Sequence, residues 1–339
     1  MNTATNRFSF LDILDRTFRI YRENFIQMIG YVALISIPIT IIDLVLSGST
    51  AASTAAFQTT RNAAAFDSGS VILSSLLVVI LSLVEIVLTY SVVCYVASES
   101  YFGRKTTVGE AFRASRARLT SLGCSFVLFY MVLFVFAFAI VFVTAICNVA
   151  IIGLVVVVYI GLATFAVLTP VLVLENLGAS AGITRAYGLG RARFWTAMGV
   201  LAAVYIIQLI LNIALTAVLR LLGLSTVGGA QLISTVITAV ISAVVSAVIL
   251  PLFPISMTLI YYDTRTRVEG LDLAMAALDK PDPRPSDVAP PPRAPFMTSR
   301  DLINMVILGV GGVALSIVAG GLLVGILNSI APGLTLPRR

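Results

Sequence analysis

A short block of residues occurs three times along this chain, each time immediately ahead of a long apolar run. Its copies end at Phe25, Leu119 and Phe194. Seven residues before each end stands an aromatic (Phe18, Phe112, Tyr187), and three residues before it an arginine (Arg22, Arg116, Arg191). A glycine follows four or five residues later, at Gly30, Gly123 and Gly199. A self-similar unit of this kind marks a repeated supersecondary element. Since each copy leads into an apolar run, the chain is predicted to divide into three helical pairs.

A membrane span takes about 20 apolar residues. Runs of that length cover roughly residues 26–47, 71–98, 122–146, 149–175, 195–222, 231–262 and 302–330, which predicts seven spans. Composition agrees. The chain is 59% hydrophobic and only 11% charged, against about 25% charged in a soluble domain. The expected fold is therefore an all-α integral membrane protein. Three repeats of an interfacial amphipathic helix plus a transmembrane helix pair give six spans. A Pro-rich linker and a seventh span follow. The expected divisions are residues 1–278 for the six-span domain, 279–299 for the linker and 300–339 for the last helix. No signal peptide is expected, because Asp12, Asp15 and Glu23 interrupt the basic N-terminal stretch.

Lysine and arginine set the expected orientation. With the N-terminus in the cytoplasm, eighteen of the 22 basic residues fall inside. Arg61, Arg220, Arg338 and Arg339 fall outside. The localisation expected is a bacterial cytoplasmic membrane, multi-pass, N-terminus in and C-terminus out. All three blocks then lie on the inner side. In the first, Leu11, Leu14, Phe18, Tyr21 and Phe25 share one helical face. Asp12, Asp15, Arg16, Arg19, Arg22 and Glu23 gather on the other, which suits a helix lying in the membrane interface. From beside the aromatic face, Arg22, Arg116 and Arg191 can cover apolar surface with their stems and reach headgroup phosphates with their guanidiniums. They are candidate headgroup-binding residues, with plain topological anchoring as the alternative.

The chain has no histidine, which removes histidine-ligated metal or haem and histidine acid–base chemistry. Cys94, Cys124 and Cys147 all fall in apolar runs with no CxxC spacing. No cofactor is expected. The +6 net charge comes from basic residues at helix ends rather than in one patch, so no nucleic-acid partner is expected.

Ionisable groups at membrane depth are costly and are functional candidates by default. Glu85 is the clearest, about 20 Å along its span at 1.5 Å per residue, with Gln208 at about the same depth and Asn212 deeper. These three form a candidate intramembrane polar site, either structural or able to carry a proton or substrate. Glu99 and Glu175 fall at span ends and read as interfacial. Pro38, Pro170, Pro251 and Pro254 interrupt spans, but not at matching places in the three units. The linker holds seven of the thirteen prolines within residues 279–299 and is expected to be extended and semi-rigid. In the seventh span Gly312, Ser316 and Gly320 recur every four residues, and Gly321 and Gly325 widen that small-residue face. Membrane helices associate through such faces, which makes it a candidate docking surface for a protein partner or for the chain's own core.

Three stretches together resemble one family: Leu11-Asp12-Ile13-Leu14-Asp15-Arg16-Thr17-Phe18, Leu174-Glu175-Asn176-Leu177-Gly178 running into Arg185 and Phe194-Trp195, and Tyr261-Tyr262-Asp263-Thr264-Arg265 through to Leu273. They resemble the membrane domain attached to glycerophosphoryl diester phosphodiesterases and its stand-alone bacterial relatives, over about residues 8–278. The resemblance implies a six-helix membrane module without phosphodiesterase activity, since hydrolysis in those enzymes belongs to a separate domain that uses histidines. The expectation is a non-enzymatic inner-membrane scaffold or accessory subunit. It would engage membrane lipids with anionic headgroups, or a protein partner through the seventh span. The alternative is a transporter or lipid-handling protein built around Glu85.

Overall fold

The structure, a computed structural model, describes residues 9–60, 68–147, 150–221, 232–278, 280, 283–291 and 295–330. α-Helix accounts for 88% of them, and no strand occurs among them. The order is short helix, long helix, long helix, three times over. The first set is α1 (Phe10–Glu23), α2 (Phe25–Thr60) and α3 (Ser68–Tyr101). The second is α4 (Val108–Ser115), α5 (Leu119–Cys147) and α6 (Ala150–Leu174), with a 3-10 turn at Arg116–Arg118. The third is α7 (Ala179–Ala192), α8 (Phe194–Leu221), and the pair α9 (Leu232–Ile249) and α10 (Leu252–Glu269). Then come α11 (Leu271–Ala276), a 3-10 turn at Pro285–Asp287, and α12 (Ser299–Ile330). Phe25, Leu119 and Phe194, which close the three sequence blocks, are the first residues of α2, α5 and α8.

Among the described residues six stretches are long and apolar enough to cross a membrane: Phe25–Leu46, Val71–Tyr101, Val108–Ala139, Gly153–Leu174, Phe194–Leu219 and Ala239–Glu269. The chain has the build of an all-α, multi-pass membrane protein. The seventh expected span coincides with α12, where most side chains beyond Val318 lie outside the described residues.

Local chemistry explains where the short helices begin. Ser9 caps α1 by accepting from Asp12 N (3.3 Å), while Asp12 accepts from Ser9 N (2.7 Å). The Ser9 backbone N–H thereby holds the Asp12 carboxyl below its usual range. Thr107 and Glu110 repeat the device at α4. α7 starts instead at Gly178, with no side-chain cap.

The sixth expected span is not one helix. Pro251 and Pro254 lack the N–H groups that would continue the ladder, and the helix breaks at Leu250–Pro251 into α9 and α10. The freed carbonyls find donors elsewhere. Val248 O accepts from the Tyr21 hydroxyl at 2.5 Å, and Ile249 O from Gln208 Nε2 at 3.4 Å.

The chain resolves into two compact units, Met1–Phe129 with Thr164–Pro292, and Tyr130–Ala163 with Arg293–Arg339. This division differs from the expected one, because the linker up to Pro292 belongs to the first unit and part of the α5–α6 hairpin to the second. In the first unit α2 buries Met28, Val32, Ser36 and Ile39 on one stripe and packs on α3 and α9. α1 packs on α10 through Ile13, Thr17 and Ile20. The stripe of Leu11, Phe18 and Phe25 stays uncovered by protein. In the second unit the Asp301 carboxylate accepts from Thr298 N and Oγ1 (both 2.7 Å) and from the Tyr159 hydroxyl (2.7 Å). A Cβ on Gly309 would lie 3.2 Å from Val155 and Asn304 Nδ2 donates to the Tyr159 hydroxyl at 3.4 Å, so α12 meets α6 at Asp301, Asn304 and Gly309.

Candidate functional site

The short-helix end of the first unit holds a buried ion network. α6 ends at Leu174, and Glu175 follows, 9% exposed. Asn176 then takes a positive φ of 59°, a conformation that asparagine tolerates better than most residues. That turn reverses the chain into α7, which carries Arg185 back over Glu175. Arg185 Nε donates to Glu175 Oε2 at 2.9 Å, and Arg185 Nη2 to Glu269 Oε2 at 2.6 Å. Arg265 completes the square. Its Nε donates to Glu269 Oε2 (3.0 Å), and its Nη1 lies 3.3 Å from Glu175 Oε1. The Tyr261 hydroxyl donates to Glu175 (3.1 Å) and accepts from Arg265 (2.8 Å). Two carboxylates and two guanidiniums thus balance, each carboxylate between two cations. Burial works against the charge on Arg185, but Glu269 and Glu175 outweigh it and hold that guanidinium above its ordinary pKa.

Every side of α10 is used. Tyr261, Arg265 and Glu269 are spaced by four and face the network. Asp263 and Arg267 share another face, where Asp263 accepts from Arg267 (2.8 Å) and from Arg193. Tyr262 hydrogen-bonds Ser98 (2.7 Å) and stacks on Tyr101 with centroids 4.4 Å apart. Gly270 ends the helix at φ 64°, a left-handed position that suits glycine.

The linker closes the network from outside. Arg265 is wholly buried and donates to Pro285 O (3.2 Å) and Val288 O (3.4 Å). Lys280 pairs with Asp287 at 2.7 Å, and Arg284 Nη1 donates to the Tyr95 hydroxyl at 3.4 Å. The expected extended spacer is therefore pinned between Lys280 and Val288. Its proline-rich composition concealed two backbone carbonyls that a buried arginine needs.

The candidate headgroup arginines separate into two kinds. Arg22 and Arg116 are exposed. Arg191 is only 8% exposed, with its guanidinium 5.3 Å from the centroid of the Tyr187 ring. α7 can sink inward because Gly182 faces Leu172, where a Cβ would lie 2.3 Å from Leu172 Cδ2. As a headgroup ligand Arg191 is displaced by this packing.

The intramembrane candidates are not gathered by the structure. Glu85 on α3 accepts a hydrogen bond from Ser36 of α2. Gln208 is the donor that serves the proline break. Asn212 is exposed and donates to Gln208 O, one turn back on its own helix, at 2.9 Å. Among the described hydrogen bonds none joins any two of these three side chains.

On α12, Gly312 and Gly321 are exposed, with nothing within 4 Å of an added Cβ. Gly312 lies about 60° round the helix from Gly309, whereas Gly321 lies on the side opposite Gly312. The side chains of Ser316, Gly320 and Gly325 lie outside the described residues.

Sequence reasoning missed the network because Glu175 reads as interfacial and its partners lie 10 to 94 residues away. The available signal was the four-residue spacing of Tyr261, Arg265 and Glu269 at the end of an apolar run. Among the described residues no group of three acidic or cysteine side chains is placed to hold a metal ion. No known protein family model, curated protein or solved structure matches the chain.

Proposed function

We propose that this chain is a non-enzymatic membrane scaffold or accessory subunit. The observation that carries the proposal is the closed network of Glu175, Arg185, Tyr261, Arg265 and Glu269, sealed by the linker carbonyls. It spends its charged groups on fixing three helices and the linker at one end of the bundle. Two of the polar groups at membrane depth are likewise engaged locally, Glu85 by Ser36 and Gln208 by Ile249 O. Such a frame holds a shape and presents its short helices and linker to lipid or to another protein.

The same network supports kinship with the membrane domain of the glycerophosphoryl diester phosphodiesterase type. Glu175, Arg185, Tyr261, Arg265 and Glu269 all come from the stretches that carry that resemblance. The eighteen-to-four distribution of basic residues supports a bacterial cytoplasmic membrane with the short helices and linker inside. The small-residue face read from the sequence of α12, with Gly312, Ser316 and Gly320 spaced by four, is the candidate surface for a protein partner.

Mild-detergent isolation of the full chain, followed by protein and lipid mass spectrometry, tests the scaffold. A stoichiometric protein partner is expected, and it should be lost when Gly312 and Gly320 are replaced by leucine. Substrate-dependent flux in proteoliposomes abolished by Glu85→Gln would overturn the proposal in favour of transport. External labelling of a single cysteine at Ser286 would overturn the orientation.

A further inference from the structure

Beside the ion network lies a second, more open constellation. A cavity of about 80 Å³ is lined by Arg104, Arg118 and Arg284, together with Tyr95, Ser98 and Glu99. Its walls come from the end of α3, the turn after α4, the end of α6 and the linker, so residues far apart in sequence converge on one small space. Three guanidiniums against one carboxylate give the wall a formal charge of +2. The space is small and opens to water, which suits a small tetrahedral anion. Two other cavities at this end are less selective. That lined by Arg16, Arg19, Glu23 and Tyr101 measures about 310 Å³, and that lined by Arg22, Glu23 and Phe25 about 600 Å³. They are larger, and their walls carry smaller net charge.

We infer that the Arg104–Arg118–Arg284 cavity binds a single phosphate group, carried by an anionic phospholipid or free in solution. Each arginine is oriented by a second contact. Arg104 pairs with Glu99 at 3.2 Å, Arg118 Nη1 donates to Val173 O at 3.0 Å, and Arg284 Nη1 donates to the Tyr95 hydroxyl at 3.4 Å. A guanidinium presents five N–H donors in one plane, a fork that matches the oxygens of a phosphate, and such contacts fix the orientation of that plane. The Tyr95 hydroxyl accepts from Arg284 and retains its own proton to donate. The wall is reachable from water, because Arg284 is exposed and the Arg104 side chain is 29% exposed. These are not the arginines singled out by the repeated block. They sit where three chain reversals and the linker meet, and sequence spacing carries no trace of that.

The linker's place in the wall adds a consequence. Arg284 lies next to Pro285, whose carbonyl serves Arg265, so a phosphate held by Arg284 also holds the linker on the bundle. The site deepens the lipid-engaging side of the scaffold proposal. Its failure would leave the search for a protein partner untouched.

Two probes and three variants of the full-length chain in neutral detergent test the site. Inorganic phosphate is titrated calorimetrically, and retained phosphatidylglycerol is counted by native mass spectrometry. One saturable equivalent is expected, weakened by on the order of tenfold or more in Arg284→Gln and in Arg118→Gln, and unchanged in Arg113→Gln on the exposed face of α4. Arg284→Gln lies on the linker, so its result does not hinge on folding of the bundle. Phosphate that displaces phosphatidylglycerol shows that both sources use the site. Retention of the lipid alone assigns it to a headgroup, and binding of phosphate alone assigns it to a soluble ligand. No saturable binding of either probe, or binding that survives Arg284→Gln unchanged, overturns the inference.

Discussion

The end of the third helical unit and the ends of the first two are built from similar residues and hold their arginines in opposite ways. In α1 and at the close of α4, Arg22 and Arg116 stay exposed, and the aromatics Phe18 and Phe112 are 40% and 39% exposed. In α7 the corresponding Arg191 and Tyr187 are buried and lie on one another. The difference begins with side-chain size and charge. α1 and α4 carry acidic capping residues that need water, Asp12 and Glu110. α7 carries neither, and has Gly182 where its backbone closely approaches Leu172. α7 packs on α10, as α1 does, but its Arg185 is largely buried there and needs carboxylates. Glu175 and Glu269 are those carboxylates. A repeated motif can therefore begin a helix in the same place three times and still leave its arginine exposed twice and buried once.

The largest expected effect separates the two kinds of end by their ion pairs. Glu175→Ala should cost about 3–5 kcal/mol, since it leaves two buried guanidiniums to share the one remaining carboxylate, Glu269. Glu99→Ala should cost no more than about 1 kcal/mol, because its Arg104 partner is partly solvated. Unfolding in mixed micelles with increasing SDS would measure both. Equal costs would break the comparison.

A smaller effect tests why α7 sinks. Gly182→Val places atoms where Leu172 already sits, and overpacking of this kind costs about 1–3 kcal/mol. Gly109→Ala on α4 meets nothing within 4 Å and should change stability by less than about 1 kcal/mol, in the favourable direction. The same unfolding assay reads both. A Gly182→Val protein as stable as the parent would show that close approach to Leu172 is not what buries α7.

The smallest effect concerns the block arginines themselves. Arg191→Gln loses the ring contact with Tyr187 and should lower stability by about 0.5–2 kcal/mol. Arg22→Gln and Arg116→Gln should stay within about 0.5 kcal/mol of the parent. Their effect should show instead as weaker retention of anionic lipid, about 1 kcal/mol for each near-surface arginine. Loss of lipid on Arg191→Gln alone would invert the assignment.

By itself the sequence determined which segments are helical and where the long helices start. Apolar runs of spanning length, capping residues such as Ser9 and Thr107, and breakers such as Pro251 act over a few residues, so their consequences are local. Pro251 and Pro254 were legible as interruptions, but the donors that repair the break, Tyr21 and Gln208, were not. Gln208 looked like a possible partner for Glu85 because both lie at similar depth along their helices, and depth says nothing about which way a helix is turned. Only the tertiary structure decided that Glu85 faces Ser36, that Arg265 reaches the linker carbonyls, and that Arg104, Arg118 and Arg284 surround one small cavity. The physical reason is that a buried charge is tolerable only beside its counter-charge. In a chain with so few charged residues those partners come from distant turns, brought together by packing rather than by spacing.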